Sequence, residues 1–445
     1  MNRIIIMRNF ALLSGLITLL SDVGNTATWQ NHTTSLESAK IQTKLEKILR
    51  QNIIPFWSSK IVDNNGYHLN HDQEGNGRGP SNKALVTQAR TVWFFSRLYN
   101  SPYGTKEHLV LAKHGFQFLR DHMWDKEFGG FYWEVDSEGS SATKPHKHLY
   151  GQSFGLYALA EYIQASNDPD AIHLADRLFQ LLEFYAHDSL HGGFNEFFLS
   201  DWTSPPEQME TYMGVTSELK LMNTHLHLME SFTSYYRVNP SPIVRQRLIE
   251  LILIQSNTAF RKKVGGCTDK YQSDWTPITG AEYDRISYGH DVENIWLLIK
   301  ACNATNLSHY LLLDLYQTIY NYTLQYGFDH ENGGFYNTGS FSEPADQLDK
   351  VWWVQSEGLV ASLHMYQLTN QKKYLTVFLQ TLNWINNHQV DWENGDWHSK
   401  INGQGEATGS KAGHWKSPYH NGRAMLECLA ILPSLSKMKG TFLTD

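Results

Sequence analysis

Apolar side chains return at three- and four-residue intervals through most of the chain, the spacing that lines them along one side of an α-helix. Such windows run from Val86–Tyr99 to His420–Leu432, and Thr216–Tyr236, Val292–Ala301 and Ser356–Gln367 lie among them. They are of two kinds. The segments Gly151-Gln-Ser-Phe-Gly-Leu-Tyr-Ala-Leu-Ala and Ser356-Glu-Gly-Leu-Val-Ala-Ser-Leu-His-Met have almost no polar face, which predicts helices covered on every side. Lys373–His388 is amphipathic and predicts a helix with one face in water. Glycine-centred turns punctuate the series at Gly66, Gly129-Gly130, Gly192-Gly193, Gly265-Gly266, Gly333-Gly334 and Gly395, with intervals of 63, 63, 73, 68 and 62 residues. That period suits a helical hairpin with its loops rather than a short solenoid repeat. Six hairpins with buried inner members predict an all-α fold, a closed (α/α)6 barrel with one ring of helices inside another.

Composition narrows the function. The chain has 445 residues, 41% of them hydrophobic, and a net charge of −8 from 37 Lys+Arg and 45 Asp+Glu. No basic run or basic face with interleaved aromatics occurs, so nucleic acid is not an expected partner. The 14 Trp, 23 Tyr and 21 His are the unusual part of the inventory. Aromatic plates with His and Asn donors suit a neutral polar ligand, an oligosaccharide or monosaccharide. Cys267, Cys302 and Cys428 form neither a disulfide framework nor a metal motif.

The N-terminus differs from the rest. Arg3 and Arg8 precede the apolar run Phe10–Leu20, and Ala27 ends a polar stretch, the layout of a signal peptide over residues 1–27. The mature chain, 28–445, is then one barrel domain, exported to the periplasm or beyond; without such a signal it is cytoplasmic. No segment has the length of a membrane span. A monomer or weak dimer is expected.

In a toroid the inner-helix N-termini and the long loops gather at one end as a funnel, so chemistry is sought there. Arg90 sits in Ala89-Arg-Thr-Val-Trp-Phe-Phe95, a guanidinium amid apolar neighbours that suits either a ring oxygen or a buried ion pair. Tyr150 opens the small-residue helix after Lys147-His148. In Met222-Asn-Thr-His-Leu-His-Leu-Met-Glu230, Asn223 and His227 share one helix face. His225 and His227 face different ways, so no metal is expected. Gly289-His-Asp-Val-Glu-Asn-Ile-Trp296 sets His290, Glu293 and Trp296 on one side. Lys350-Val-Trp-Trp-Val-Gln-Ser-Glu357 brings Trp352, Trp353 and Glu357. Trp415-Lys-Ser-Pro-Tyr-His-Asn-Gly-Arg423 places His420 in a helix's first turn, where the helix N-terminus disfavours the imidazolium. A histidine kept neutral is a competent base. Proton transfer by imidazoles needs no cofactor, and phosphate-binding, dinucleotide and nucleophile-elbow motifs are all missing.

The runs Trp352–Gln355, Gly289–Glu293, Met222–Glu230 and Trp415–Arg423 closely resemble those of cellobiose 2-epimerases, of the N-acylglucosamine 2-epimerase superfamily. The resemblance extends from about residue 40 to 433 and implies an (α/α)6 barrel. It also implies epimerisation at C2 of the reducing-end glucose of a β-1,4-linked disaccharide. By it, His227 assists ring opening, and His290 and His420 act on opposite faces of C2. Arg90 and Asn223 hold O1 and O2, and Glu293 and Glu357 orient the two histidines. Trp353 and Trp415 pack on the sugar, and Tyr150, Trp352, Trp296 and Arg423 support them. Competing expectations are an aldose–ketose isomerase on free mannose, an (α/α)6 glycoside hydrolase, which needs two carboxylates flanking the scissile bond, and a non-catalytic sugar-binding protein.

Overall fold

The computed structural model of the chain describes residues 38–435, so the signal-like segment 1–27 lies outside the described residues. Twelve helical rods alternate between two rings. The outer ring begins with α1, a continuous rod over 38–60 whose last turns are Ile54–Lys60. It continues with α3 (Lys106–Phe118), α5 (Pro169–Leu181), α7 (Pro242–Leu253), α9 (Leu313–Tyr326) and α11 (Lys372–Trp384). The inner ring is α2 (Leu85–Tyr99), α4 (Leu149–Ser166), α6 (Met222–Val238), α8 (Tyr288–Thr305), α10 (Trp352–Thr369) and α12 (Tyr419–Leu435). Each inner helix packs on the next, and α12 returns to α2 and α1, which closes the toroid.

Side-chain pattern explains which helix goes where. Every residue of α4 from Leu149 to Ile163 is buried, as the missing polar face requires. In α11, Tyr374, Leu375, Val377, Phe378, Thr381 and Leu382 face inward and the intervening positions face solvent. Most of the apolar interior forms one cluster running from Ile41 to Leu435, and a small second one gathers Ile286, Tyr288 and Tyr322. Four outer rods widen into a π-turn at their C-terminal ends, Leu119–Met123, Leu182–Ala186, Ile254–Thr258 and Ile385–Gln389, and α1 carries one in its middle, Ile48–Ile53. Among the described residues, no helix is long and apolar enough to cross a membrane.

Two repeated devices fix where each inner helix starts. The first is a tether. An Asp begins five of the six glycine turns and pairs with a Lys ahead of an inner helix, in the short strand itself for the first four: Asp63–Lys83 at 2.8 Å, Asp125–Lys147 at 2.6 Å, Asp188–Lys220 at 2.7 Å, Asp329–Lys350 at 2.7 Å and Asp391–Lys411 at 2.8 Å. The same carboxylates accept turn N–H groups, as Asp125 does from Glu127 and Phe128. At the remaining turn Arg261 replaces the Asp, and Arg285 pairs outward with Asp346 instead. The second device is a pin three residues into the inner helix. Gln88, Gln152 and Gln355 each bond both the N–H and the C=O of the residue after the turn, Tyr67, Phe131 and Phe335. His225 and Asp291 hold the equivalent positions and accept from the N–H of Phe194 and Cys267. Turn and helix start are thereby locked together in unit after unit, with buried backbone groups satisfied.

The differences from the sequence reading are local. The expected helix Thr216–Tyr236 begins only at Met222, because Lys220–Leu221 pairs as a strand with Lys270–Tyr271. The expected Val292–Ala301 is longer, Tyr288–Thr305. The rod 38–60 completes the outer ring ahead of the first predicted window.

Candidate active site

Because every inner helix starts in the same register, side chains at equal distances from those starts form layers. Five residues in from the first helical residue come Arg90, Phe154, His227, Glu293 and Glu357, and Arg423 takes the matching place on α12. One or two residues in come Tyr150, Asn223, His290, Trp353 and His420. The two layers enclose a cavity of about 280 Å³. Ten of the thirteen residues singled out in the sequence line it: Arg90, Tyr150, Asn223, His227, His290, Glu293, Trp352, Trp353, Trp415 and His420. Met213 joins them from the 199–219 loop, a residue with no sequence signal of its own. Trp296, Glu357 and Arg423 lie directly behind.

The lower layer is a buried charge cluster. Arg423, 1% exposed, donates from Nη2 to Glu293 Oε1 at 2.7 Å and to Glu357 Oε1 at 2.8 Å, and from Nη1 to Glu230 and the Tyr419 hydroxyl. Its guanidinium also packs over the rings of Tyr419, at 4.0 Å, and Trp296, at 4.6 Å. Glu357 accepts from His420 Nδ1 at 2.6 Å and from the Trp296 indole N–H at 2.9 Å. Glu230 accepts from His227 Nδ1 at 3.1 Å and from the Tyr419 O–H at 2.5 Å. With a carboxylate facing Nδ1, each of His420 and His227 carries its proton there and leaves Nε2 as an acceptor.

This arrangement revises one pairing expected from spacing. Glu293 turns to Arg423 on the far helix, not to His290 one turn before it. Among the described residues His290 has no hydrogen-bond partner; its ring packs on Trp353 with centroids 4.8 Å apart. Trp353 also meets His420, at 5.7 Å, so one indole touches both imidazoles. Glu230 and Tyr419 are site residues that the sequence reading passed over. The i,i+3 spacing of His227 and Glu230 was the available signal.

Burial decides the electrostatics. It pushes His290 down to about 3, with the neighbouring His227 and Arg90 adding to the effect. It pushes His420 well below the usual histidine range, helped by Arg90 and Arg423. Both rings are therefore neutral at pH 7. Burial and the nearby Glu357 raise the Glu293 carboxyl to about 7, against the pull of Arg423. Burial also raises Glu230, but Arg423 and His227 outweigh it and hold that carboxyl at about 2. At the cavity wall Arg90 donates to the Tyr150 hydroxyl at 3.0 Å and the Trp415 carbonyl at 3.2 Å, and stacks on Phe154 at 4.1 Å. Its Nε and the Asn223 Oδ1 are buried without partners among the described residues. Asn223 itself is fixed through its N–H to Asp269, 3.0 Å away.

Glu293, Glu357 and His420 are the described residues that come near metal-ligand spacing, their donor atoms lying within 4.8 Å of one another. Arg423 already supplies the cation between the two carboxylates. The arrangement is thus two neutral imidazoles facing one polar cavity, with guanidinium and amide donors beside them, which suits proton transfer at a carbon whose neighbouring oxygen becomes negative.

Comparison with known proteins agrees. The family described as N-acylglucosamine 2-epimerase (GlcNAc 2-epimerase) matches residues 66–424. The chain is 30% identical to a cellobiose 2-epimerase of Dictyoglomus turgidum over 398 residues, 87% of this chain and 98% of that protein. The structure of a cellobiose 2-epimerase from Spirochaeta thermophila superimposes with a TM-score of 0.81 at 31% identity, covering 90% of this chain and 98% of that one. A D-mannose isomerase of Marinomonas mediterranea is 23% identical over 88% of this chain and 98% of its own length.

Proposed function

Because the chain belongs to the N-acylglucosamine 2-epimerase family, we propose that it inverts C2 of the reducing-end glucose in a β-1,4-linked disaccharide such as cellobiose, giving a mannose residue. The observation that carries the mechanism is the pair of neutral histidines, His290 on α8 and His420 on α12, lining one cavity and both packed on Trp353.

The reaction divides among the residues as follows. His227, backed by Glu230, transfers the proton that opens the sugar ring. Arg90 and Asn223 bind O1 and O2 of the open chain and meet the charge that grows there as the C2 proton leaves. Each such preorganised donor is worth about 3 kcal/mol in the transition state. One of His290 and His420 takes the proton and the other returns it to the opposite face of a cis-enediolate. A single base would return it to the face it left. Glu357 holds His420 in the tautomer that offers Nε2 to the cavity. Trp353, Trp352, Tyr150 and the half-exposed Trp415 supply the apolar faces that pack against pyranose C–H groups.

A second reading has one specific support, the similarity to a D-mannose isomerase. The same enediolate, protonated at C1 instead of C2, yields the ketose. Product analysis on cellobiose, mannobiose and mannose separates the two. Epimer from either disaccharide supports the epimerase; fructose from mannose with no epimer from cellobiose overturns it. For the segment 1–27 we read export, and a secreted chain beginning at Thr28 is the expected product of cleavage; recovery of the intact N-terminus from the cell interior would contradict that.

A further inference from the structure

Three carboxylates converge on one guanidinium, and they are not equally satisfied. Glu230 is bonded by Arg423, Tyr419 and His227. Glu357 is bonded by Arg423, His420 and Trp296. Glu293 gives Oε1 to Arg423 and leaves Oε2 buried with no partner, although it lines the cavity with both histidines. A buried carboxyl that keeps one oxygen bare and comes within 4.8 Å of a second carboxylate is the place in this cluster where a proton relieves most repulsion. The position of its titration near 7 agrees with that geometry.

The histidines make the same demand from the other side. Inversion by two bases requires one of them to hold a proton when the enediolate forms, yet burial keeps both neutral. Some group in the cavity has to supply that proton. The charged and titratable groups facing Glu293 are Arg90 on α2, Tyr150 on α4, His227 and Glu230 on α6, His290 on its own helix, Glu357 on α10, and Tyr419, His420 and Arg423 on α12. Arg423 stays cationic, and Tyr150 and Tyr419 are pushed up by burial, which makes them poorer acids.

We propose that Glu293 is the proton store of the site: as a neutral carboxylic acid it replaces the donor histidine's proton as that histidine gives one to C2, and it recovers the proton that each turnover leaves on the other. This rests on the two-histidine epimerase reading above. The protons balance. The C2–H bond breaks as an N–H bond forms on the base histidine. A new C2–H bond forms on the opposite face as the donor histidine's N–H breaks, and the Glu293 O–H breaks as its proton replaces the one the histidine gave. The Glu293 carboxylate then takes the proton from the base histidine, and the starting state returns with no net uptake.

Glu293→Gln tests it, since glutamine keeps the shape and an oxygen for Arg423 but cannot pass a proton on. The expected result with cellobiose in dilute buffer is a fall in kcat of about ten-fold or more. Added imidazole at fixed pH and ionic strength restores the rate, because an external acid replaces the missing one. The wild type loses kcat/KM as pH rises through about 7, and Glu293→Gln lacks that limb. Glu293→Asp regains part of both. A wild-type rate and limb in Glu293→Gln, or a slower enzyme that imidazole does not help and whose limb is unmoved, overturns the store and leaves the epimerase standing. No epimer from the wild type overturns the epimerase reading and the store with it.

Discussion

Arg423→Met removes the one cation shared by Glu230, Glu293 and Glu357 while keeping a side chain of similar length on α12. Breaking a single buried ion pair by deleting one partner costs about 3–5 kcal/mol, because the other charge is left without compensation. Here three carboxylates lose their partner at once, and Arg423 is 1% exposed, so water does not replace it. The carboxylates answer by taking protons, each tenfold gain in proton affinity corresponding to about 1.4 kcal/mol. That makes the loss depend on pH. Arg423 holds Glu230 at about 2 in the native protein, below the ordinary value of about 4.3. Its stabilisation is therefore full above about pH 4.3 and fades as pH falls toward 2. In the variant the buried carboxyls titrate above that ordinary value, so acid relieves the damage instead. Equilibrium urea unfolding at pH 7.5 should show a deficit of about 4 kcal/mol, with an unchanged slope, and at pH 5 a deficit at least halved. An equal deficit at both pH values, or none at pH 7.5, would refute the view that one guanidinium neutralises the cluster.

The remaining predictions separate chemistry from architecture. His420→Asn should lower epimerisation by about 100-fold or more while still exchanging the C2 proton of one epimer with solvent, as followed by NMR; exchange into both epimers would contradict a two-face mechanism. Glu293, raised to about 7 from an ordinary value of about 4.3, stabilises the fold fully below about pH 4 and less as pH rises through 7. Between pH 5 and 8 the wild type should therefore lose about 3 kcal/mol relative to Glu293→Gln, and parallel stability curves would be the contrary result. Lys350→Met leaves Asp329, held at about 2 by its bonds to Lys350 and the turn amides against its burial, without its cation. A loss of about 3 kcal/mol at pH 7 is expected, shrinking as pH falls toward 2, and a melting temperature that does not move would count against the tether.

Much of this was readable along the chain because it is local. A helix without a polar face, such as α4, has to be inside, and a glycine pair taking φ of 74° at both Gly129 and Gly130 has to be a turn. Six glycine turns, four of them pairs, with helical spacing between them carry the toroid. The rod 38–60 was not read, although Ile41, Leu45, Ile48, Leu49, Ile53, Phe56 and Trp57 keep helical spacing. Pro55 looks like a stop, and the structure accommodates it at the start of Ile54–Lys60, after a π-turn that has no sequence mark. In the site, residue type and register were enough to assemble the cavity wall, but not to tell where each carboxylate turns. His227–Glu230 and His290–Glu293 have the same i,i+3 spacing. The first forms a pair at 3.1 Å, and in the second the glutamate leaves for a guanidinium 130 positions away. His225 shows the converse. It looks chemical beside His227, yet it occupies the pin position that glutamine fills in three other units, accepting from Phe194 and donating to the Leu221 carbonyl.

If His290 and His420 move a proton across the two faces of C2, incubation of the protein with cellobiose in deuterium oxide leaves the mark of solvent at that carbon. Glucosylmannose carrying one deuterium at C2, with unreacted cellobiose free of label early in the reaction, is expected. Epimer formed with the original hydrogen retained at C2 in every molecule would contradict it.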